Sequence, residues 1–215
     1  MQPADYDAWY ATPMGRWVGQ CELRMLLRQL APCGEKSMID VGCGTGYFTR
    51  HLAKEGASLV GLDIAQPSLQ FARQQGGEIA YLQGDAASLP FADESFDHAV
   101  AITSLPFVAE PERAISEMTR VARERVVIGL LNGQSLHLRQ HAGSRSYGEA
   151  RWYTPAQARA LVARAMGEQS PWQLSHLSTA LSVISPYPLG RWLEPLLPGF
   201  LPWGAFLFLV LQKAR

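Results

Sequence analysis

Three glycines in alternate positions, Gly42, Gly44 and Gly46, follow the apolar run Met38-Ile39-Asp40-Val41. Glycine loses more backbone entropy on folding than any other residue, so such a cluster belongs where dihedrals are unusual or where a ligand lies against the chain. Two uses fit: a cradle for the phosphates of a dinucleotide, or a site for a cationic, amino-acid-like ligand. A tight strand-to-helix turn with no ligand is the third possibility. A dinucleotide fingerprint spaces its glycines as GxGxxG. Here the third glycine comes one position early and Tyr47 stands where the pattern wants it. Asp40, two residues before Gly42, would repel a pyrophosphate and suit an ammonium group. The turn therefore favours positive charge.

Two further acids sit at matching points. Asp63 closes the apolar run Ser58-Leu59-Val60-Gly61-Leu62, and Asp85 closes Ile79 to Gly84. One carboxylate at a strand end can receive two ribose hydroxyls, the way open α/β sheets grip adenosine. Asp85 could accept from an adenine amino group. Each acid alone reads as a surface or capping carboxylate; together, at the ends of consecutive strands, they converge on one crevice. His137 and His141 are spaced i, i+4 with Arg139, Arg145 and Arg151 nearby. They read as a solvated basic helix, an anion receptor or a metal pair, and the last lacks the third ligand that zinc normally requires.

These residues need elements to hold them in place. Met38–Val41, 58–63, 79–82, Asp97–Thr103 and Val126–Leu131 read as strands, with Trp172–Ser178 and Ala205–Leu211 as two more. Between them, helices are expected over Gly15–Leu30 (apolar Leu23, Leu26, Leu27, Leu30), Thr45–Glu55, Pro67–Gln75, from Pro111 (apolar Ala114, Ile115, Met118, Val121, Ala122) and over Thr154–Met166. Strands alternating with helices at this spacing imply an α/β fold, a mainly parallel sheet covered on both faces. Tyr6, Trp9 and Tyr10 lie ahead of the first helix in a segment without periodicity, as a hydrophobic plug or as a lid over a ligand.

The 19 basic and 19 acidic side chains of this 215-residue chain cancel, so no overall field draws it to nucleic acid or an anionic membrane. Cys21, Cys33 and Cys43 match no disulfide or zinc spacing and read as free thiols of a reducing cytoplasm. The first ten residues carry acid and no apolar core, unlike a secretory signal. The apolar tract Leu196–Gln212 is interrupted by Pro198, Gly199, Pro202 and Gly204, which argues against a membrane span. The proline- and tryptophan-rich stretch from Ser185 to Trp203 reads as a lid over an apolar pocket or as a long surface crossover.

The run Asp40-Val41-Gly42-Cys43-Gly44-Thr45-Gly46, then Gly61-Leu62-Asp63-Ile64, then Gly84-Asp85-Ala86 with Leu89-Pro90-Phe91, and finally Ser95-Phe96-Asp97 and Pro111-Glu112-Arg113-Ala114, resembles the class I S-adenosylmethionine-dependent methyltransferases. Within them it is similar to the small-molecule group around ubiquinone and menaquinone biosynthesis. The resemblance covers residues 6 to 132 well and the rest loosely. It implies a Rossmann-like open twisted sheet of about seven strands, the last antiparallel, within one domain: a helical lid segment (1–33), a cofactor-binding core (34–132) and a C-terminal half with substrate-side insertions (133–215). It implies S-adenosylmethionine as cofactor, S-adenosylhomocysteine as product and a small-molecule acceptor. Gly42, Cys43, Gly44 and Gly46 would let the backbone approach the methionyl part, with Asp40 behind its ammonium and Thr103 nearby. Asp63 would take the ribose, Ile64 would pack on the adenine, Asp85 and Ala86 would meet its amino edge, and Tyr10 would close over the cofactor. Two departures stand out: Ala65 where relatives often have serine, and Leu105-Pro106-Phe107 where they often have histidines. The acceptor and any general base are not named by these motifs. A cofactor-binding protein without turnover is the alternative, and a nicotinamide oxidoreductase is disfavoured by Asp40 and Tyr47.

Overall fold

The structure, a computed structural model, describes residues 2–32, 34–135, 148–180 and 203–214. Cys33, His137, Arg139, His141, Arg145 and the stretch from Ser185 as far as Pro202 lie outside the described residues. The chain opens with helices α1 (Pro3–Ala11) and α2 (Pro13–Leu30). Alternation follows: β1 (Ser37–Val41), α3 (Tyr47–Lys54), β2 (Ser58–Asp63), α4 (Gln66–Gln74), β3 (Ala80–Gln83) and β4 (Phe96–Ile102). A 3-10 turn (Leu105–Phe107), α5 (Pro111–Val121), β5 (Ala122–Leu131), α6 (Pro155–Met166), β6 (Trp172–Ala180) and β7 (Phe206–Lys213) complete it. The seven strands form one sheet in the order β3-β2-β1-β4-β5-β7-β6, with β7 antiparallel to both its neighbours. The expected α/β architecture is therefore the one observed.

Hydrophobic side chains cover both sheet faces. On one, Ile39, Leu62, Ala101 and Ile128 pack with Ile115 and Met118 of α5 and Leu161 and Val162 of α6. On the other, Met38, Val100 and Val127 pack with Leu26 and Leu30 of α2 and Phe48 and Leu52 of α3. No helix among the described residues is long and apolar enough to cross a membrane.

Several boundaries differ from the sequence-based expectation for local reasons. Helix α3 starts at Tyr47 rather than Thr45, because Gly46 takes a left-handed conformation (φ 77°) and serves as its N-cap. Strand β5 begins at Ala122, directly after α5. Its polar start, Arg123-Glu124-Arg125, reads as loop, yet Ala122 pairs with Phe96 and Arg125 with both His98 and Gln212. The aperiodic N-terminal segment is a helix. Pro3 lies at its first turn, where a missing N–H costs nothing. Thr12 then accepts from Gly15 N at 3.1 Å to cap α2. Thr154 and Gln157 close a reciprocal capping box on α6.

Candidate functional site

Strand order reverses between β1 and β4, so the crossovers on either side diverge and leave a crevice at the carboxyl ends of the strands. A cavity of about 460 Å³ lies there. Tyr10, Asp40, Gly42, Cys43, Gly44, Asp63, Ile64, Asp85, Ala86 and Thr103 all line it. Gly46 does not: a Cβ on it would lie 2.5 Å from the Tyr81 hydroxyl, so this glycine serves close packing beneath the turn. Gly42 (φ 74°) touches the cavity but is also hemmed in, 2.3 Å from Ser104 Cβ by the same construction. Gly44 (φ 54°) alone of the three has open space where its Cβ would stand. Backbone bare on its cavity side is what a ligand lying against the chain requires.

The three strand-end acids differ in how they are held. Asp63 is a fork: Oδ2 accepts from Gly44 N and Oδ1 from Ala65 N, each at 2.8 Å. One carboxylate thus ties the glycine turn to Ala65, the residue before α4, which itself has no side-chain cap. Each oxygen keeps a further lone pair for a hydroxyl donor. Asp85 accepts from Ala87 N at 2.9 Å. Asp40 is 2 % exposed and its Oδ2 receives the Thr49 hydroxyl at 2.6 Å. Burial raises its pKa to about 6, the Thr49 hydrogen bond opposes this, and the Asp63 charge adds to it. No Lys or Arg pairs with Asp40, Asp63 or Asp85 among the described residues. Thr103 terminates β4 at φ 55°, a conformation uncommon outside glycine, and its N–H bonds Gly129 O at 2.9 Å.

One wall comes from α1, whose Tyr6 and Tyr10 line the cavity. Tyr10 is buried and stacks on Tyr47 with ring centroids 3.8 Å apart and planes 12° from parallel. Its hydroxyl lies 3.3 Å from that of Tyr6, which also lines the cavity. Asp7 pairs with Arg50 of α3 at 3.1 Å, fixing the helix against the turn. Sequence reasoning offered Tyr6 as part of a plug or lid but missed Tyr47, Ser104 and Phe107 as lining residues. Ser104 braces the turn by donating to Val41 O at 2.7 Å, and Phe107 is half exposed at the rim. His51 and His98 lie outside the lining.

Residues 39–128 match the family model described as a methyltransferase domain. A solved S-adenosylmethionine-dependent methyltransferase of Thermotoga maritima, described as a possible histamine N-methyltransferase, superimposes with a TM-score of 0.74 at 25% identity, covering 98% of this chain and 95% of that one. Over residues 39–128 the chain is similar to a methyltransferase domain, and its fold is that of a solved S-adenosylmethionine-dependent methyltransferase. Among curated relatives of the chain, the biotin biosynthesis bifunctional protein BioHC of Cellvibrio japonicus is 41% identical over 56% of this chain and 23% of its own length. The demethylmenaquinone methyltransferase of Renibacterium salmoninarum is 33% identical over 46% of this chain and 42% of its own. The chain spans between about a quarter and just over half of the length of the first curated relatives it matches.

The residues present fit the cofactor of such a methyltransferase. Gly44 offers bare backbone, Asp63 free lone pairs at a strand end, and Asp40 a buried carboxyl with no cation beside it.

Proposed function

We propose that this chain transfers a methyl group from S-adenosylmethionine to a small acceptor with an aromatic or lipophilic body. The observation that carries this reading is the cavity itself: strand-end acids without cationic partners converge on a glycine turn, under a lid of tyrosines. Asp63 would hold the ribose, Asp40 the ammonium, Ile64 and Ala86 the adenine, and Asp85 its amino edge. Bound there, the cofactor supplies a methyl carbon already activated by its sulfonium. The chain's part is then mostly orientation, which contributes up to ~7–11 kcal/mol in favourable intramolecular systems. The aromatic wall of Tyr6, Tyr10 and Phe107 supports an apolar acceptor. The similarity to a demethylmenaquinone methyltransferase is in keeping with it.

Calorimetry of the full chain with S-adenosylmethionine and S-adenosylhomocysteine tests the cofactor half, and absence of heat with both would sink it. Incubation with radiolabelled cofactor and a panel of phenols, quinols, amines and fatty acids tests the acceptor half. Labelling of aromatic members is expected. Labelling of fatty acids alone would replace the aromatic reading with a lipid one.

A further inference from the structure

The cavity carries more negative charge than the cofactor brings positive. Asp40, Asp63 and Asp85 all line it, and among the described residues no Lys, Arg or His does. Arg50 of α3 and Arg73 of α4 are engaged elsewhere, the first with Asp7 at 3.1 Å and Thr45 O at 2.5 Å, the second with Tyr81 O at 2.6 Å. A separate feature also points to a ligand. Thr45 lines the cavity and is 3% exposed, yet its hydroxyl has no hydrogen-bond partner, a costly state for a buried polar group. On the side that follows β4 the wall is apolar, made of Ile102, Phe107, Val108 and Ala109, and such a wall strengthens every charge inside it. Burial raises the Asp40 pKa only to about 6, so this acid is ionised in neutral water. S-adenosylmethionine has a sulfonium, an ammonium and a carboxylate, one positive charge net; S-adenosylhomocysteine has lost the sulfonium and carries none. With either one bound, the cavity stays negative.

We infer that the methyl acceptor's nucleophile is an uncharged nitrogen on an aromatic body, an aniline-type amine or a ring nitrogen, and that the three acids select it by keeping a cation in the cavity throughout the reaction. The inference rests on the methyltransferase reading above. The nitrogen lone pair forms the new bond to the methyl carbon as the C–S bond breaks, and the broken pair stays on sulfur. Positive charge thereby passes from sulfur to nitrogen, and no proton moves in the step. The acids face a cation before it and after it. A phenolate or carboxylate acceptor would enter against three like charges, and its methylation would cancel the sulfonium charge and leave the acids around two neutral products. A weakly basic aromatic nitrogen is unprotonated in neutral water, so its lone pair is free on entry. The methylated product gives up any N–H proton to water after release. The rings of Tyr6, Tyr10 and Phe107 along the cavity suit a cation as well as an aromatic body.

The test uses the full chain at about pH 7.5, saturated with S-adenosylhomocysteine, and three probes that share a phenyl ring. Phenyltrimethylammonium, whose quaternary nitrogen stands for the methylated product, is compared with neutral benzyl alcohol and with benzoate. Calorimetry should find the cation bound about tenfold or more tighter than either of the others, the scale of one unit charge facing carboxylates at an effective protein dielectric. With S-adenosylmethionine bound instead, that advantage should shrink by about the same factor, because the sulfonium already supplies the charge. Asp40→Asn keeps the side chain's shape and removes one charge of the three, so it should also reduce the advantage. If neither S-adenosylmethionine nor S-adenosylhomocysteine binds wild type, the methyltransferase reading itself fails. If they bind and the probes bind alike, or benzoate binds best, or none binds, only the nitrogen assignment fails. An advantage that is equal on both complexes, or undiminished in Asp40→Asn, overturns the assignment as well. Should Asp40→Asn not fold, the comparison of the two wild-type complexes decides alone.

Discussion

The two edges of the sheet treat their acids in opposite ways. At the amino edge, Asp97 Oδ2 accepts from Ser37 N and Ser37 Oγ, both at 2.9 Å, and Asp97 Oδ1 faces Arg123 at 3.4 Å. Lys36 pairs with Glu124 at 2.6 Å, Arg120 with Asp93 and Glu117 at 2.8 Å each, and Lys213 with Glu94. Burial works against the ionised Asp97, but the Ser37 hydrogen bonds and the Lys36 charge prevail and its pKa is lowered. At the carboxyl edge, Asp40 is more deeply buried, lacks a cation among the described residues and has a raised pKa. The amino edge pairs its acids with cations, whereas the acids of the carboxyl edge accept protein hydrogen bonds but meet no cation among the described residues. Carboxylates held this way weaken the folded chain and strengthen binding of a cationic guest, the trade expected at a functional site.

The largest break in that contrast should come from Asp63→Ala. It removes the fork between Gly44 N and Ala65 N together with the proposed ribose contacts. With ~1.5–3 kcal/mol for each hydrogen bond to a charged group, S-adenosylhomocysteine affinity should fall on the order of a hundredfold or more. Calorimetry that finds less than a fivefold change, on the order of 1 kcal/mol, would remove Asp63 from the site.

A comparable effect, this time on stability, should follow from Glu22→Gln. The folded-state pKa of Glu22 is about 8, above its ordinary 4.5, so ionisation penalises the folded state. That penalty is absent below about pH 4.5, grows as pH rises, and is complete above about 8. Asp40 behaves alike between its ordinary 3.8 and about 6. Asp97 is the reverse: its contribution is present above the ordinary value and lost as pH falls through the lowered one. Glu22→Gln should therefore match wild type at pH 5 and exceed it at pH 9 by on the order of 3–5 kcal/mol, or roughly 10 °C in Tm. Identical melting curves at both pH values would show that Glu22 has found a partner.

The glycine turn allows a finer cut. Gly42→Ala drives a methyl into Ser104 as well as straining φ, so it should lower Tm. Gly44→Ala meets nothing in the unliganded chain. It should cost only the left-handed penalty, about 1–2 kcal/mol, yet block the ligand. Thermal melts paired with S-adenosylhomocysteine titrations check this. Equal losses of binding and stability in both variants would make the turn purely structural.

Much of this was legible from the sequence because it is local. Strand-end acids and the glycine spacing are read along a few residues, and parallel strands announce themselves as apolar runs. What escaped depended on distant neighbours. Helix α1 has no periodic stripe because it is held by the Tyr10–Tyr47 stack and the Asp7–Arg50 pair rather than by an amphipathic face. On α2, Leu23 and Leu27 looked like core but are only partly buried, while Glu22, a charged residue, occupies the buried stripe. A rule that puts charge outside misplaces this residue because its burial runs against the hydrophobic driving force. Among the glycines, spacing alone could not say that Gly46 packs on Tyr81 and Gly44 stays bare.

The smallest expected effect bears on the amino edge. Lys36 and Glu124 are 31% and 46% exposed, so water screens their attraction and holding two long side chains still costs entropy. Lys36→Ala should lower stability by no more than ~1 kcal/mol and leave S-adenosylhomocysteine affinity unchanged. Its diagnostic value lies in His98. That ring is buried in β4, with Nε2 3.9 Å from Glu124, and burial lowers its pKa while the Glu124 charge raises it and Lys36 lowers it further. Removing Lys36 frees Glu124 to favour the imidazolium, so the His98 pKa should rise, which proton NMR of the ring would register. A rise there with no change at the carboxyl edge means the two edges are electrostatically independent. A shift in cofactor affinity would mean that the paired edge supports the unpaired one through β4, the strand that carries His98 at one end and leads into Thr103 at the other.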